Sequence, residues 1–136
     1  MIFVDTGAFL ARYVTADQYH RRAIKAWDRM ARERPRCFTS NFVLDETFTL
    51  LARRAGYAFA TERARILYDS PALTILRPDR DDELSALEYF QKYADQKVSF
   101  TDAVSFVLMR KTKLKLAFSY DRHFPQAGFT LWPTSG

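Results

Sequence analysis

The sequence predicts an α/β fold with a mainly parallel sheet, and three observations support this prediction. Short apolar runs alternate along the chain with segments whose apolar residues recur at helical spacing. The first run, Ile2, Phe3 and Val4, is too short for a helix and is typical of a strand buried on both faces. Hydrophobic residues make up 48% of the 136 residues, which is enough to bury a dense core.

The first half of the chain is predicted to contain two strands and four helices. Asp17 is a candidate N-cap for the second helix and Ser40 or Asn41 for the third, and Gly56 is a helix stop. The predicted strands cover 2–4 and 36–39, and the predicted helices cover 8–14, 17–32, 42–55 and 57–68.

The second half is predicted to contain three strands and two helices. Pro78 and Asp79 open the first of these helices, and the acids in its first turn complement the positive end of a helix. The predicted strands cover 73–76, 116–119 and 129–132, and the predicted helices cover 79–94 and 101–111. Residues 1–136 are expected to form one domain.

Composition narrows the class of protein. Cys37 is the single cysteine, so no internal disulfide can form, which fits a reducing intracellular compartment. No apolar run approaches a membrane span, and Asp5 interrupts the only N-terminal one, so we expect a cytoplasmic protein with no membrane partner. The formal net charge of +5 favours polyanionic partners such as nucleic acid.

Four acids lie next to strand ends or early in helices, the positions at which a parallel sheet carries its functional residues. Asp5 ends the first strand, Glu46 lies early in the third helix, Asp102 opens the last predicted helix, and Asp121 follows the fourth strand. Since strand C-termini and the helix N-termini that follow them share one edge of a parallel sheet, we expect the four to converge there.

A cluster of carboxylates repels itself unless a cation compensates the charge. Mg²⁺ and Mn²⁺ prefer oxygen ligands, and such ions activate water in phosphodiester cleavage. Thr6, Thr101 and Ser119 are nearby hydroxyls able to orient the carboxylates or their waters.

Each acid also has a structural interpretation. Asp5 could cap the first helix, and Glu46 could be a solvated helix acid. Asp102 could complement a helix dipole, with Ser99 or Thr101 as the cap, and Asp121 could form a turn. His123, two residues after Asp121, could contact a phosphate, but a packed or surface position is the preferred interpretation. The basic face of the second helix, which includes Arg21 and Arg22, is either solvated or in contact with RNA phosphate.

Four segments in order resemble the motifs of PIN-domain ribonucleases, and their spacing resembles the toxins of VapBC toxin–antitoxin pairs. They are Val4-Asp5-Thr6-Gly7-Ala8, Ser40-Asn41-Phe42-Val43-Leu44-Asp45-Glu46, Ser99-Phe100-Thr101-Asp102-Ala103 and Phe118-Ser119-Tyr120-Asp121-Arg122-His123-Phe124. The likeness covers essentially the whole chain.

This resemblance implies a three-layer α/β/α sandwich on a five-stranded sheet and cleavage of RNA that depends on Mg²⁺ or Mn²⁺. It implies that Asp5, Glu46 and Asp102 are the core acids, that Asp121 is a more variable fourth, and that Thr6 and Thr101 are supporting hydroxyls. It also implies a cognate antitoxin, which we expect in the grooves of the first four helices. A homodimer is a further expectation, since apolar side chains of the fourth helix suit a dimer surface, the core or the antitoxin.

Three other functions remain open from the sequence. An aspartate-nucleophile phosphatase also begins with a strand-end aspartate, but it normally has a second acid where Gly7 stands. A non-catalytic RNA-binding module would not need all four acids. A housekeeping PIN nuclease that processes RNA is the nearest alternative to a toxin.

Overall fold

A five-stranded parallel sheet organises the computed structural model, which describes residues 1–134. The strand order is β3-β2-β1-β4-β5, and every neighbouring pair is parallel. The strands are β1 (Ile2–Val4), β2 (Cys37–Ser40), β3 (Leu73–Leu76), β4 (Leu116–Phe118) and β5 (Thr130–Leu131). The predicted parallel sheet is therefore confirmed.

Seven α-helices connect the strands within the described residues. They are α1 (Thr6–Tyr13), α2 (His20–Glu33), α3 (Asn41–Ala55), α4 (Tyr57–Asp69), α5 (Arg80–Lys92), α6 (Phe100–Lys111) and α7 (His123–Gln126). A 3₁₀ turn at Ala94–Gln96 follows α5. Gly56 separates α3 from α4 with a φ of 93°, a conformation that favours glycine, as the predicted helix stop requires.

One local prediction was wrong, and one short helix was missed. Asp17 does not cap α2, because its carboxylate accepts a hydrogen bond from the Tyr19 amide at 2.8 Å in a turn that precedes the helix. Helix α7 was not predicted, since four residues that include Pro125 are too few to show a periodic pattern.

The helices form a layer on each face of the sheet. The chain runs outward from β1 through β2 to β3, then returns across the sheet to β4 and β5. Right-handed crossovers consequently place α1–α4 on one face and α5–α7 on the other. Trp27 of α2 packs on Phe118 on the first face, and Phe106 of α6 packs on Phe124 and Phe129 on the second. This is the expected three-layer sandwich.

Strand β1 lies at the centre, where the direction of the chain across the sheet reverses. The Thr39 hydroxyl donates to the Val4 carbonyl at 2.8 Å, and the Asp5 amide donates to the Phe118 carbonyl at 3.0 Å. These bonds join the carboxyl ends of β1, β2 and β4. Ligands of open α/β sheets bind beyond such a switch point, so Asp5 stands at the position expected for a site.

Cys37 is buried in β2, with its thiol sulfur 3.3 Å from the Met30 sulfur. Burial raises the pKa of the Cys37 thiol, which fits an unreactive core residue. Within the part of the chain that the structure describes, no helix combines the length and apolar character needed to cross a bilayer.

Candidate active site

An open cleft of about 460 Å³ lies at the carboxyl ends of β1 and β4, beside the second turn of α3 and the first turn of α6. We call it the acid cleft, because all four acids singled out in the sequence line it: Asp5, Glu46, Asp102 and Asp121. The fold brings them together from four separate segments of the chain.

Asp5 occupies the N-cap position of α1, yet its side chain caps nothing. Its Oδ2 atom accepts a hydrogen bond of 2.8 Å from the Ser119 hydroxyl. Its Oδ1 atom is buried and has no hydrogen-bond partner among residues 1–134. A buried carboxylate oxygen without a partner is costly unless a ligand satisfies it, so the capping interpretation does not explain Asp5.

Asp102 lies in the first turn of α6 and is 8% exposed. Ser99 caps this helix by accepting a hydrogen bond from the Asp102 amide at 3.0 Å, which leaves the Asp102 carboxylate at the cleft. Thr101 is not among the residues that line the cleft, and its carbonyl accepts the Ser105 hydroxyl. No hydrogen bond links the Thr101 side chain to the acids of the described chain.

Ser119 connects Asp5 to the loop that carries Asp121. While its hydroxyl donates to Asp5, its oxygen also accepts the Asp121 amide at 3.0 Å. Asp121 Oδ1 in turn accepts the His123 amide at 2.8 Å, so Asp121 does form a turn. The same carboxylate faces the cleft, and the two interpretations are compatible.

His123 belongs to this cluster, although a packed or surface position was preferred from the sequence. Its Nδ1 atom lies 2.8 Å from Asp121 Oδ1, without the alignment of a hydrogen bond. Asp102, Asp121 and His123 each offer one ligand atom, and these three atoms lie within 4.8 Å of one another. The feature of the sequence that could have assigned His123 to the site is its position two residues after Asp121.

Glu46 and Thr6 complete the acidic side of the cleft. Glu46 is half-buried and lines it, whereas its neighbour Asp45 is exposed and lies outside it. Thr6 is buried in the cleft wall, and its hydroxyl has no hydrogen-bond partner among the described residues.

Burial and mutual repulsion raise the pKa of two of these acids. For Asp5, burial outweighs the lowering effects of the Ser119 hydroxyl and the Thr6 amide and, with the charges of Asp121 and Glu46, raises the pKa to about 7. For Asp102, burial and the charges of Asp5, Asp121 and Glu46 raise the pKa to about 9. The cleft by itself therefore retains protons near neutral pH.

The donor set fits a hard divalent cation. Carboxylate oxygens are the ligands that Mg²⁺ and Mn²⁺ take, and a cation would satisfy the unpartnered Asp5 oxygen. Its positive charge would also offset the burial cost and the repulsion that raise the pKa of Asp5 and Asp102.

The rim of the cleft carries residues that sequence reasoning did not assign to it. Arg54, two turns after Glu46 on α3, lies with its Nη1 atom 3.8 Å from Asp17 Oδ2. Tyr19, Tyr120 and Arg122 also line the cleft. Tyr120 and Arg122 flank Asp121 in the chain, which was a usable signal, whereas nothing local connects Tyr19 with the acids.

Comparison with known proteins gives a consistent result. The PIN domain family matches residues 2–130. The 23S rRNA-specific endonuclease VapC20 of Mycobacterium tuberculosis is 38% identical over 129 residues, covering 95% of each chain. The VapC ribonuclease of Archaeoglobus fulgidus is 34% identical over 140 residues, covering 95% of this chain and 83% of that protein.

Solved structures share the fold. The crystal structure of Mycobacterium tuberculosis VapC20, a toxin that cleaves the sarcin–ricin loop, superimposes with a TM-score of 0.85 at 35% identity, covering 96% of this chain and 97% of the other. FitAcB of Neisseria gonorrhoeae matches in fold alone, with a TM-score of 0.69 at 17% identity and 98% coverage of both chains. This chain therefore belongs to the PIN-domain family, among its VapC-type ribonuclease toxins.

Proposed function

We propose that this chain is a toxin endoribonuclease that uses Mg²⁺ or Mn²⁺ held by Asp5, Glu46, Asp102 and Asp121. The observation that carries the proposal is the convergence of four carboxylates, one with a buried and unpartnered oxygen, in one open cleft. The whole chain carries a net charge of +5 even with these acids included, and this charge suits a polyanionic substrate.

The protein's own residues position the reacting groups. A bound divalent ion supplies Lewis-acid stabilisation of the phosphate and activates the attacking water. Ser119 fixes Asp5 and the Asp121 loop through one hydroxyl, and Thr6 offers a free hydroxyl within the cleft. Arg54 places a cation at the rim, where it can hold a phosphate of the incoming RNA.

Ribosomal RNA is the substrate that the relatives favour. VapC20 is named for cleavage of 23S rRNA, and this chain shares its length and fold. We propose the same class of substrate, an exposed loop of large-subunit RNA, and with it a cytoplasmic location.

The purified chain should cleave a 23S rRNA fragment or intact ribosomes when Mg²⁺ or Mn²⁺ is present and should stop when EDTA is added, because the acids need a cation to accept a phosphate. Gel analysis of end-labelled RNA measures this. An aspartate-nucleophile phosphatase would instead hydrolyse a phosphomonoester, and a non-catalytic module would bind the RNA uncut.

The partner antitoxin has a suitable groove on the opposite side of α1. A cavity of about 710 Å³ between α1, α2, α4 and β3 is lined by Trp27, Ile66 and Leu67. Four arginines surround this apolar floor: Arg12, Arg34, Arg36 and Arg63. We propose that an amphipathic antitoxin segment with acidic flanks binds here, and that a basic residue of the antitoxin enters the acid cleft.

Ile66→Glu should weaken antitoxin binding at least tenfold, since it places a charge on the apolar floor of this groove. Ile66 is half exposed, so the fold should survive. Thr61→Glu adds the same charge at an exposed position of α4 outside the groove and is the matched control. Calorimetric titration with the product of a short adjoining gene measures both, and equal affinity for the two variants would place the antitoxin elsewhere.

The homodimer stays a prediction. Exposed apolar side chains on α5, namely Leu84, Leu87 and Phe90, offer a surface suited to a second copy in addition to that of α4.

A further inference from the structure

A second groove opens beside the acid cleft. It has a volume of about 620 Å³ and lies between the start of α2 and the segment around β5, and we call it the β5 groove. Arg22, Phe129 and Trp132 line it, and three further residues, Tyr19, Tyr120 and Arg122, line both it and the acid cleft. The two spaces are therefore adjacent, so that one extended ligand can occupy both.

The two spaces differ in charge. Five acids line the acid cleft, whereas Arg22 and Arg122 line the β5 groove together with no acid of the described chain. Both arginines are exposed, and neither forms an ion pair with another residue in 1–134. A phosphate is repelled by the cleft until a cation is bound there, while the groove attracts phosphate without a cation.

The boundary between them is an aromatic pair. The rings of Tyr19 and Tyr120 are 5° from parallel, with centroids 4.5 Å apart. The Arg22 guanidinium carbon is 5.5 Å from the Tyr19 centroid and 5.3 Å from the Tyr120 centroid. Nearly equal distances place Arg22 beside the pair, not over an outer face. Aromatic rings with adjacent arginines are the elements on which single-stranded bases stack.

We propose that the β5 groove binds the nucleotides of single-stranded RNA next to the scissile phosphate, with Arg22 and Arg122 on phosphates and the Tyr19–Tyr120 pair against a base. The inference rests on RNA being the substrate of the acid cleft. The groove contributes affinity and register, while the acids perform the chemistry. A protein segment is the other possible occupant, and the test distinguishes the two.

Binding is measured in an Asp102→Asn background, so that the RNA stays intact. The probe is a fluorescently labelled single-stranded RNA of twelve nucleotides with Mg²⁺ present, followed by anisotropy. Arg22→Ala and Arg122→Ala should each raise Kd about 5- to 30-fold and reduce the slope of log Kd against log salt by about 0.7, the value for one phosphate contact on a single strand. Arg21→Ala, an exposed neighbour outside the groove, is the matched control.

Tyr19→Ala should raise Kd about tenfold, in the range found for loss of one base–aromatic stack, and Tyr19→Phe should restore binding because it keeps the ring. A structural role for Arg22 would lower the thermal midpoint without changing the salt slope.

The inference is overturned if the Asp102→Asn protein binds no RNA, or if adding Arg22→Ala or Arg122→Ala leaves its Kd for RNA and its salt slope unchanged. It is also overturned if these two changes weaken the binding of the antitoxin and not that of RNA. Its failure is separate from that of the proposed function. If the wild type cleaves RNA but the arginine variants bind RNA unchanged, only the proposed role of the β5 groove is rejected. If the variants bind RNA more weakly but the wild type cleaves none, only the proposed nuclease function is rejected.

Discussion

Asp102→Asn and Asp5→Asn are each expected to reduce RNA cleavage by about a thousandfold or more, which is about 4 kcal/mol of transition-state stabilisation. Each change replaces a charged ligand by a neutral amide in the cleft where the cation is proposed to bind. Single-turnover cleavage of the same RNA, with Mn²⁺ in excess, measures the loss. Asp45→Asn is the matched control, because Asp45 is exposed on α3 outside the cleft and its variant should cleave normally.

The same variants should stay folded, and without metal they should be more stable than the wild type near pH 8. Removing one of several close carboxylates relieves the repulsion and the burial cost that raise the pKa of Asp5 and Asp102. We expect the thermal midpoint to rise by a few degrees, since about 1 kcal/mol moves a domain of this size by roughly 3–5 °C. Inactivity together with loss of the cooperative thermal transition would show that these acids are structural.

The sequence was sufficient for the sheet and for the position of the acids. Ile2 to Val4 is buried on both faces as its composition predicts, and Asp5 follows it at the carboxyl edge. Once the strands are parallel, topology alone carries Asp5, Asp121 and the starts of α3 and α6 to one edge. The convergence of the acids at this edge could therefore be predicted without knowing any side-chain contact.

Side-chain partners were harder to predict, because a local pattern allows several of them. Asp17 has the composition of an N-cap but bonds the Tyr19 amide, and Ser99 rather than Thr101 caps α6. Thr101 matches a motif position, but its side chain forms no hydrogen bond with the acids of the described chain. His123 joins Asp121 through a turn whose geometry no periodicity encodes.

The β5 groove could not be predicted from the sequence, for a different reason. Tyr19 precedes α2 and Tyr120 follows β4, so the two are far apart in the chain and stack only because the fold brings these two segments together. The basic face of α2 was visible in the sequence, but which of its arginines lines the β5 groove depends on where α2 begins. The structure begins α2 at His20, which brings Arg22 beside the aromatic pair.

Divalent ions should stabilise the protein far more at pH 8 than at pH 5.5. In the folded, metal-free state the pKa of Asp5 is raised to about 7 and that of Asp102 to about 9, from the ordinary 3.8. Between pH 4 and these values the folded state binds more protons than the unfolded state. The stabilisation from these protons is complete below about pH 4 and is lost as pH rises through about 7 and then about 9, so metal-free stability falls with rising pH.

A cation reverses this trend because it binds the deprotonated carboxylates. At a hundredfold excess over Kd, Mg²⁺ or Mn²⁺ should add about 2.7 kcal/mol at pH 8, and clearly less at pH 5.5, where protons compete. Thermal unfolding with EDTA or with Mn²⁺ at both pH values measures the four conditions. Asp102→Asn should flatten the metal-free pH dependence and reduce the response to Mn²⁺, while Asp45→Asn should follow the wild type. A metal response that is equal at both pH values, or unchanged in Asp102→Asn, would place the bound ion outside the acid cleft.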